Sequence, residues 1–376
     1  MRLIATCKIG LESLVSAELQ KLNIEVERVE DARVTFLGGI ETIARANLWL
    51  RCAERVLLEV GSFPARSFDE LFEGVKGLDW KRYLGRDSFI HVNGKSAKSA
   101  LFSVSDCQSI TKKAIVENLK SAYRTVVLPE SGREVIVEVG LLRDIATLAL
   151  DCSGAGLSRR GYRTYNVTAP LAETLGAAIV LLSRHKPEQP LIDPMCGSGT
   201  MPIEAAMIAE NRAPGLNREF AAESWEFADP SVWTIAREEA MDAIRRVKLD
   251  ILGSDIDERS IGLCKKHAKK AGILVDWAVR PIENLKSDKS GGVIVCNPPY
   301  GGRMMTRDEV ARLYRTMRTS FDALGDWSKH IITGFPEFER VYGKRADKRR
   351  KLSNGGTACT LYQYFRRDDF HKTLYK

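Results

Sequence analysis

Short apolar runs alternate along the whole chain with segments that carry apolar residues at helical spacing. In residues 1–155 the short runs predict strands at 3–6, 26–29, 33–37, 56–63, 89–93, 134–139 and 145–150. Helical spacing predicts helices at 11–22, 40–48, 67–76 and 105–122. This mixture is typical of an α+β region, with a ferredoxin-like pattern at its start.

The second half of the chain repeats strand then helix, which is the pattern of a parallel doubly wound sheet. Its apolar runs predict strands at 191–192, 249–254, 274–279, 293–295 and 330–334, and its helical spacing predicts helices at 171–182, 203–209 and 258–271. Two last runs, 343–352 and 358–364, flank Asn354-Gly355 and predict a closing hairpin. Residues 211–247 are long for a crossover and are expected to form an insertion on the rim of the sheet.

These patterns predict several domains, because 376 residues are too many for one ordinary core. We expect an α/β fold class in which a Rossmann-like domain follows an α+β region. The expected boundaries are a ferredoxin-like domain over 1–63, a second domain over 64–155, a basic linker over 156–170 and the Rossmann-like domain over 171–376.

Composition narrows the class of protein. Apolar residues make up 44% and charged residues 28%, as in globular proteins. No stretch is long and apolar enough for a membrane span, and the first ten residues resemble a strand more than a signal peptide. Eight cysteines are scattered without metal-ligand spacing, so we expect free thiols, a cytoplasmic protein and no metal.

The formal net charge of +8 favours a polyanionic partner. Basic residues cluster at 95–98, 112–113, 159–163, 265–270 and 344–351. Any one cluster is also compatible with a solvated face, but clusters in both halves of the chain favour an extended anionic ligand. Residues 94–99, predicted to join a strand to a helix, include Gly-Lys-Ser but lack the first glycine of a phosphate loop.

A glycine loop follows the first predicted strand of the second half. It consists of Asp193, Pro194, Met195, Cys196, Gly197, Ser198, Gly199 and Thr200. Glycines let the backbone approach a ligand, and the following helix start offers free N–H groups. The loop lacks both the third glycine of a dinucleotide site and the lysine of a phosphate loop. Asp193 would attract a cation such as an amino group or a sulfonium, although a purely structural turn remains an alternative.

Polar residues also end the next predicted strands. Asp255, followed by Ile256, occupies the position where a carboxylate commonly accepts both hydroxyls of a ribose. Asp257 is expected to cap the helix at 258–271. Glu283 and Asn284 follow the third strand, where an adenine amine could be held.

The fourth strand runs directly into Asn297-Pro298-Pro299-Tyr300. Consecutive prolines end the strand and stiffen the turn, at the sheet edge where ligands bind. The Asn297 side-chain oxygen and a proline carbonyl could both accept hydrogens from an NH₂ group, and the Tyr300 ring could stack on a flat ligand. An ordinary Asn-Pro turn is the alternative.

In this order the motifs resemble class I S-adenosylmethionine-dependent methyltransferases of the amino-methylating group. Residues 157–163, 169–175 and 213–218, with the THUMP-like segment 94–119, are similar to THUMP-containing guanine-N2 RNA methyltransferases related to the N-terminal half of RlmL. The resemblance covers essentially the whole chain. It implies S-adenosylmethionine as cofactor, contacted also by Thr168, Pro170 and Asn297, and an RNA-binding THUMP domain over 64–155.

The implied reaction methylates the N2 amine of a guanine in RNA, most specifically 23S rRNA. Phosphates are expected to be held by Lys95, Lys98, Lys112, Lys113, Arg159, Arg160 and Arg163, with Lys348, Arg349 and Arg350 bordering the substrate entrance or forming only an exposed hairpin. The alternatives are a tRNA guanine-N2 methyltransferase, a DNA adenine-N6 methylase and a non-catalytic RNA-binding assembly factor.

Overall fold

The computed structural model describes residues 1–163, 171–301 and 305–366. Thr168 and Pro170, which were predicted to contact the cofactor, lie outside these residues. The chain folds into two compact units. The first contains Met1–Cys7, Ser16–Leu157 and Glu219–Glu238, and the second contains Lys8–Val15, Ser158–Arg218 and the described residues from Glu239 onward.

The N-terminal part of the chain forms seven strands and four helices. The strands are β1 (Arg2–Cys7), β2 (Val26–Glu30), β3 (Arg33–Leu37), β4 (Ala53–Pro64), β5 (Phe89–Ala97), β6 (Glu134–Leu142) and β7 (Ile145–Asp151). The helices are α1 (Glu12–Lys21), α2 (Ile40–Trp49), α3 (Phe68–Lys76) and α4 (Val104–Tyr123). Every strand and helix predicted in this part of the chain is present.

All seven strands belong to one sheet, in the order β2-β3-β1-β4-β7-β6-β5. The long strand β4 joins its two halves, because Leu57 and Leu58 pair with β1 on one edge and with β7 on the other. The ferredoxin-like and second α/β patterns therefore continue into each other through backbone hydrogen bonds. Local periodicity did not predict this continuity, since the pattern of a strand does not name its edge partners.

Strand β5 extends further than its pattern predicts. Gly94, Lys95, Ser96 and Ala97 continue the strand and pair in parallel with β6, in the register Gly94↔Val139 to Ala97↔Leu142. The expectation that residues 94–97 join a strand to a helix is therefore wrong. Alternation explains the extension, because Lys95 and Ala97 are exposed while Gly94 and Ser96 are partly buried.

The rest of the chain forms seven strands and six helices among the described residues. The strands are β8 (Leu191–Asp193), β9 (Ile251–Asp255), β10 (Asp276–Val279), β11 (Val293–Cys296), β12 (Ser328–Thr333), β13 (Lys348–Asn354) and β14 (Thr357–Tyr364). The helices are α5 (Glu173–Ser183), α6 (Thr200–Ala209), α7 (Ser231–Asp242), α8 (Glu258–Ala271), α9 (Arg307–Asp322) and α10 (Phe338–Tyr342).

The second sheet has the order β10-β9-β8-β11-β12-β14-β13. Strands β8 to β12 are parallel, whereas β14 lies antiparallel between β12 and β13 as the predicted closing hairpin. The chain proceeds from β8 to β9 and β10 on one side and then returns to place β11 on the other side of β8. This reversal makes a crevice at the carboxyl ends of β8 and β11, where open α/β sheets bind their ligands.

Helix α9 is not among the predicted helices. Thr306 caps it and forms a capping box with Glu309. Its buried residues Val310, Tyr314 and Met317 recur at helical spacing and join a core cluster that also contains Ile294 of β11. The many charged residues of this segment hid that narrow apolar stripe in the sequence.

The predicted insertion at 211–247 is divided between the units. Residues 219–238 belong to the first unit, rather than lying wholly on the rim of the second sheet. Aromatic packing explains this, because the Phe227 ring stacks on Trp225 at 5.1 Å and meets Tyr83 edge-on at 5.5 Å. No helix in the described part of the chain is both long and apolar enough to span a membrane.

Candidate active site

The glycine loop connects the end of β8 to the start of α6 through two residues with positive φ, Gly197 (+52°) and Gly199 (+84°). A Cβ on Gly199 would lie 2.8 Å from the Trp277 ring and 3.0 Å from Cys264 Sγ, so this position has no room for a side chain. A Cβ on Gly197 would meet nothing within 4 Å. Gly199 is therefore closely packed, whereas open space lies beside Gly197.

Side chains from β9 and α8 hold the loop in place. Asp255 accepts hydrogen bonds from the Gly197 N–H at 2.9 Å and from the Asp257 N–H at 3.0 Å. The Cys264 thiol donates to the Gly197 carbonyl at 3.1 Å, and His267 Nδ1 lies 3.1 Å from the Ser198 carbonyl. Burial lowers the pKa of His267, which favours the neutral ring. The sequence analysis missed Cys264 and His267, whose spacing of three on one helix face was the available signal.

Asp193 is a buried carboxyl group at the end of β8, only 1% exposed. Burial raises its pKa well above the usual value, and the nearby Asp255 adds to the effect. It accepts a long hydrogen bond from the Met195 N–H at 3.3 Å, and no ion pair neutralises it among the described residues. A positively charged ligand group would offset the cost of its burial.

The ends of β9 and β10 continue the same edge of the sheet. Ile256, 74% exposed, follows Asp255 and offers an apolar surface beside that carboxylate. Glu283 and Asn284 are exposed within a short 3₁₀ turn after β10. Asp257 caps α8 by accepting from the Arg259 and Ser260 N–H groups, as predicted.

Asn297 follows β11, on the other side of β8. Its Oδ1 is buried and has no hydrogen-bond partner in the structure. A buried polar atom without a partner is costly, so this oxygen is suited to a ligand that supplies a hydrogen.

Tyr300 ends the turn and is half-buried. Its ring lies 3.2 Å from where a Cβ on Gly334 would stand, so Gly334 makes room for it. Burial raises the pKa of the Tyr300 hydroxyl, which interacts with the side chains of Asn354 and Cys359 on the closing hairpin. The ring is thereby held at the crevice.

The arrangement fits S-adenosylmethionine group by group. The buried Asp193 carboxyl group suits the amino acid end and its cations, and Asp255 has further lone pairs for ribose hydroxyls. Ile256, Glu283 and Asn284 follow β9 and β10 at the same edge of the sheet, and their contact with an adenine stays a prediction. Fold and site together are those of a doubly wound α/β methyltransferase.

Two of the predicted RNA-binding arginines have partners within the methyltransferase unit. Arg160 is 3% exposed, and its Nε lies 3.4 Å from Glu204 Oε1. Burial by itself would lower the pKa of Arg160, but the neighbouring Glu204 carboxylate raises it, and the pKa lies above the ordinary value. Arg163 donates to Thr200 Oγ1 at 2.6 Å and pairs with Glu173 at 3.5 Å. The buried Arg160 is therefore not exposed to RNA in this structure, whereas RNA contact by the part-buried Arg163 stays a prediction.

The other predicted RNA contacts differ in accessibility. Lys112 pairs with Glu130 at 3.1 Å, Arg349 pairs with Glu339 at 2.9 Å, and Arg350 donates to the Gly10 carbonyl. The remaining predicted residues have exposed side chains: Lys95, Lys98, Lys113, Arg159 and Lys348.

Family models match three successive parts of the chain. Residues 2–57 match the RlmL ferredoxin-like domain, residues 65–151 the THUMP domain, and residues 160–363 the UPF0020 family, described as the RMKL-like methyltransferase domain. The last match alone spans more than half of the chain.

Close relatives cover nearly all of it. "Putative RNA methyltransferase YpsC" of Bacillus subtilis is 43% identical over 368 residues, 96% of this chain and 95% of that protein. The crystal structure of a "predicted N6-adenine-specific DNA methylase" from Listeria monocytogenes has 45% identity and a TM-score of 0.92, over 97% of this chain and 96% of that one. "SMU.472, a putative methyltransferase complexed with SAH" has 43% identity and a TM-score of 0.92, over 97% and 98%. The chain belongs to the RMKL-like methyltransferase family, with an RlmL ferredoxin-like domain and a THUMP domain, and S-adenosylmethionine is its cofactor.

Proposed function

We propose that this protein transfers a methyl group from S-adenosylmethionine to the exocyclic N2 amine of a guanine in RNA, with 23S rRNA in the cytoplasm as the substrate. The observation that carries the proposal is the buried, unpartnered Oδ1 of Asn297 at the switch point of the sheet. The THUMP domain and the RNA methyltransferase name of the Bacillus relative support RNA as the substrate class.

The chemistry depends on orienting a poorly nucleophilic amine. The lone pair of an exocyclic amine is conjugated with its ring, so its two hydrogens must be held to aim it. Asn297 Oδ1 and the Pro298 carbonyl would accept those hydrogens and stabilise positive charge as it develops on nitrogen. The amine nitrogen would gain the methyl group as the carbon–sulfur bond breaks, S-adenosylhomocysteine would leave, and the amine would lose a proton to solvent.

Tyr300 would provide the face on which the base stacks. Its hydroxyl interacts with the hairpin residues Asn354 and Cys359, which would favour one position of the ring before the base arrives. A base inside an RNA helix cannot reach this crevice and must be splayed out, which stacking on Tyr300 would help to offset.

The cofactor supplies an electrophilic methyl group on a sulfonium. Asp193 and the loop that Gly197 and Gly199 shape would hold its amino acid end, Asp255 its ribose, and Ile256 with Glu283 and Asn284 its adenine. The exposed lysines Lys95, Lys98 and Lys113 of the first unit would contact RNA phosphates.

The test is methyl transfer from labelled S-adenosylmethionine to undermodified 23S rRNA, tRNA and DNA, followed by mass spectrometry of the modified nucleosides. We expect N2-methylguanosine from 23S rRNA. Product in tRNA alone would redirect the proposal to tRNA, and methyladenine in DNA would refute it.

Cofactor binding distinguishes an enzyme from an RNA-binding assembly factor. We expect the wild-type protein to bind S-adenosylmethionine and Asp193→Ala to bind it much more weakly. If the wild-type protein shows no affinity for S-adenosylmethionine, the proposal that it is a methyltransferase fails.

A further inference from the structure

The two prolines of the Asn297–Tyr300 turn create a shortage of hydrogen-bond donors. Neither Pro298 nor Pro299 has an N–H group, so the turn cannot satisfy its own carbonyls as an ordinary turn does. Donors for these carbonyls must come from elsewhere in the fold or from the substrate.

Tyr314 of α9 supplies one of them. Its hydroxyl donates to the Pro299 carbonyl at 2.9 Å and lies 2.8 Å from Thr333 Oγ1 at the end of β12. Thr333 Oγ1 in turn accepts from the Phe335 N–H at 3.0 Å. The Tyr314 hydroxyl has one hydrogen, which it donates to the Pro299 carbonyl. The Thr333 hydroxyl must therefore donate its own hydrogen to the Tyr314 oxygen, so that each hydroxyl donates one hydrogen bond.

The tyrosine ring is held as firmly as its hydroxyl. Phe335 and Phe338 meet it edge-on, with centroids 5.5 and 5.1 Å away, and Tyr314 is fully buried. The Pro299 carbonyl is therefore tied through Tyr314 to helix α9 and strand β12. In contrast, the Pro298 carbonyl accepts no hydrogen bond from the described residues, and Asn297 Oδ1 has no partner.

We propose that Tyr314, seated by Thr333, is a positioning residue that occupies the Pro299 carbonyl and fixes the turn so that only Asn297 Oδ1 and the Pro298 carbonyl face the substrate amine. An amine with two hydrogens then meets two acceptors in one orientation. This inference rests on the proposed amine methylation, although the rigidity of the turn can be measured without it.

The chain offers a matched control for Tyr314. Tyr342 belongs to the same core cluster and is also buried, but its hydroxyl has no hydrogen-bond partner in the structure. Tyr314→Phe and Tyr342→Phe each remove one buried hydroxyl from one cluster, and only the first releases the turn.

The experiment measures both variants in three ways. Tyr314→Phe should lower kcat about 10- to 100-fold, the scale expected for misplaced reacting groups, with cofactor affinity within about twofold of wild type. Tyr342→Phe should leave kcat unchanged. Hydrogen exchange at the Tyr300 and Gly301 amides should become faster in Tyr314→Phe only.

A second pair covers the case in which Tyr314→Phe does not fold. Thr333→Val removes the hydroxyl that seats Tyr314 and should lower kcat, whereas Thr333→Ser keeps that hydroxyl and should restore it. Equal kcat and equal exchange in Tyr314→Phe and Tyr342→Phe, or in the two Thr333 variants, would overturn the inference. If wild-type protein methylates no substrate, the proposed function fails, and the exchange data still decide whether Tyr314 holds the turn.

Discussion

At the scale of single residues, the site is marked by polar groups whose hydrogen bonding is incomplete. Among the described residues, the buried Asn297 Oδ1 has no partner, and no cation pairs with the buried Asp193 carboxyl group. Folding these groups costs free energy that only a ligand would return. Asn297 and Asp193 lie at the carboxyl ends of the neighbouring strands β11 and β8. Ligands bound at this one crevice would therefore explain why both polar groups lack partners.

Asn297→Ala tests the acceptor role. Removing one preorganised hydrogen-bonding group from a developing charge should lower kcat about 10²- to 10³-fold, while cofactor affinity stays within about threefold. Asn284→Ala is the matched control, because it should weaken cofactor binding and leave kcat almost unchanged. Steady-state kinetics and calorimetric titration give both quantities. Loss of turnover and cofactor binding together in Asn297→Ala would indicate a structural role.

Asp193 should make cofactor binding depend on pH. Because burial raises the pKa of Asp193, this carboxyl group becomes protonated at a higher pH than an ordinary aspartate does. The neutral form no longer attracts a cation. Affinity for S-adenosylmethionine should therefore fall by up to about tenfold per pH unit below that raised pKa. Asp193→Asn should bind weakly at every pH and lose the dependence.

The same shift predicts how the ligand-free protein responds to pH. A carboxyl group whose pKa is raised on folding stabilises the fold at low pH, and this contribution is lost as pH rises through the folded pKa. The free energy of unfolding of wild type should thus decrease over that range relative to Asp193→Asn. Denaturant titrations at several pH values measure this difference. If the free energies of unfolding of wild type and Asp193→Asn change with pH in parallel, Asp193 does not titrate as inferred.

At the scale of elements, the segment before α5 is a structural part of the methyltransferase unit. Arg160 pairs with Glu204 on α6, and the Tyr162 hydroxyl donates to the same carboxylate at 3.1 Å. Arg163 ties Thr200, the first residue of α6, to Glu173 on α5. Arg160 and Arg163, which the sequence suggested as RNA-binding residues, therefore contact α6, the helix that begins at the glycine loop.

Arg160→Ala should destabilise the protein without a direct effect on RNA contacts. Removing one partner of a buried ion pair leaves Glu204 uncompensated, so the free energy of unfolding should fall by about 3–5 kcal/mol. The neighbouring Arg159 is exposed, and Arg159→Ala should change stability by less than about 0.5 kcal/mol. Chemical denaturation of both variants measures the contrast. Similar stability for the two would mean that the buried pair contributes little.

At the scale of the whole molecule, positive charge remains available on the first unit. Lys95 lies on the exposed side of β5, Lys98 follows the strand, and Lys113 lies on the exposed face of α4. Lys112 is different, because Glu130 already neutralises it. This unit contains the matched THUMP domain, which is consistent with a division of labour between RNA binding and catalysis.

Replacing Lys95, Lys98 and Lys113 by alanine should weaken RNA binding and flatten its salt dependence. Each lost phosphate contact should reduce the slope of log K against log salt by about 0.7 for single-stranded RNA. Cofactor affinity should not change. Lys112→Ala should have a smaller effect than any of the three. An unchanged salt slope in the triple variant would place the RNA elsewhere.

Much of the fold and part of the site were predictable from the chain alone. Periodicity identified every strand of both sheets, since alternation and short apolar runs are local properties. Proline and glycine constrain the backbone wherever they stand, so the turn at Asn297 and the loop at Gly197 were also evident. Helix α9 was not predicted, because its charged residues outnumber its buried ones.

Only the tertiary structure decided which groups meet. Tyr314 donates to a carbonyl 15 residues before it, and Thr333, 19 residues after Tyr314, contacts the same tyrosine hydroxyl. Likewise, Glu204 lies 44 residues beyond Arg160 and converts a predicted RNA contact into a buried ion pair. Local patterns predict strands, helices and their ends, whereas long-range packing selects the hydrogen-bond partners. The sequence by itself therefore determined where the reactive turn lies, and the tertiary structure determined what holds it.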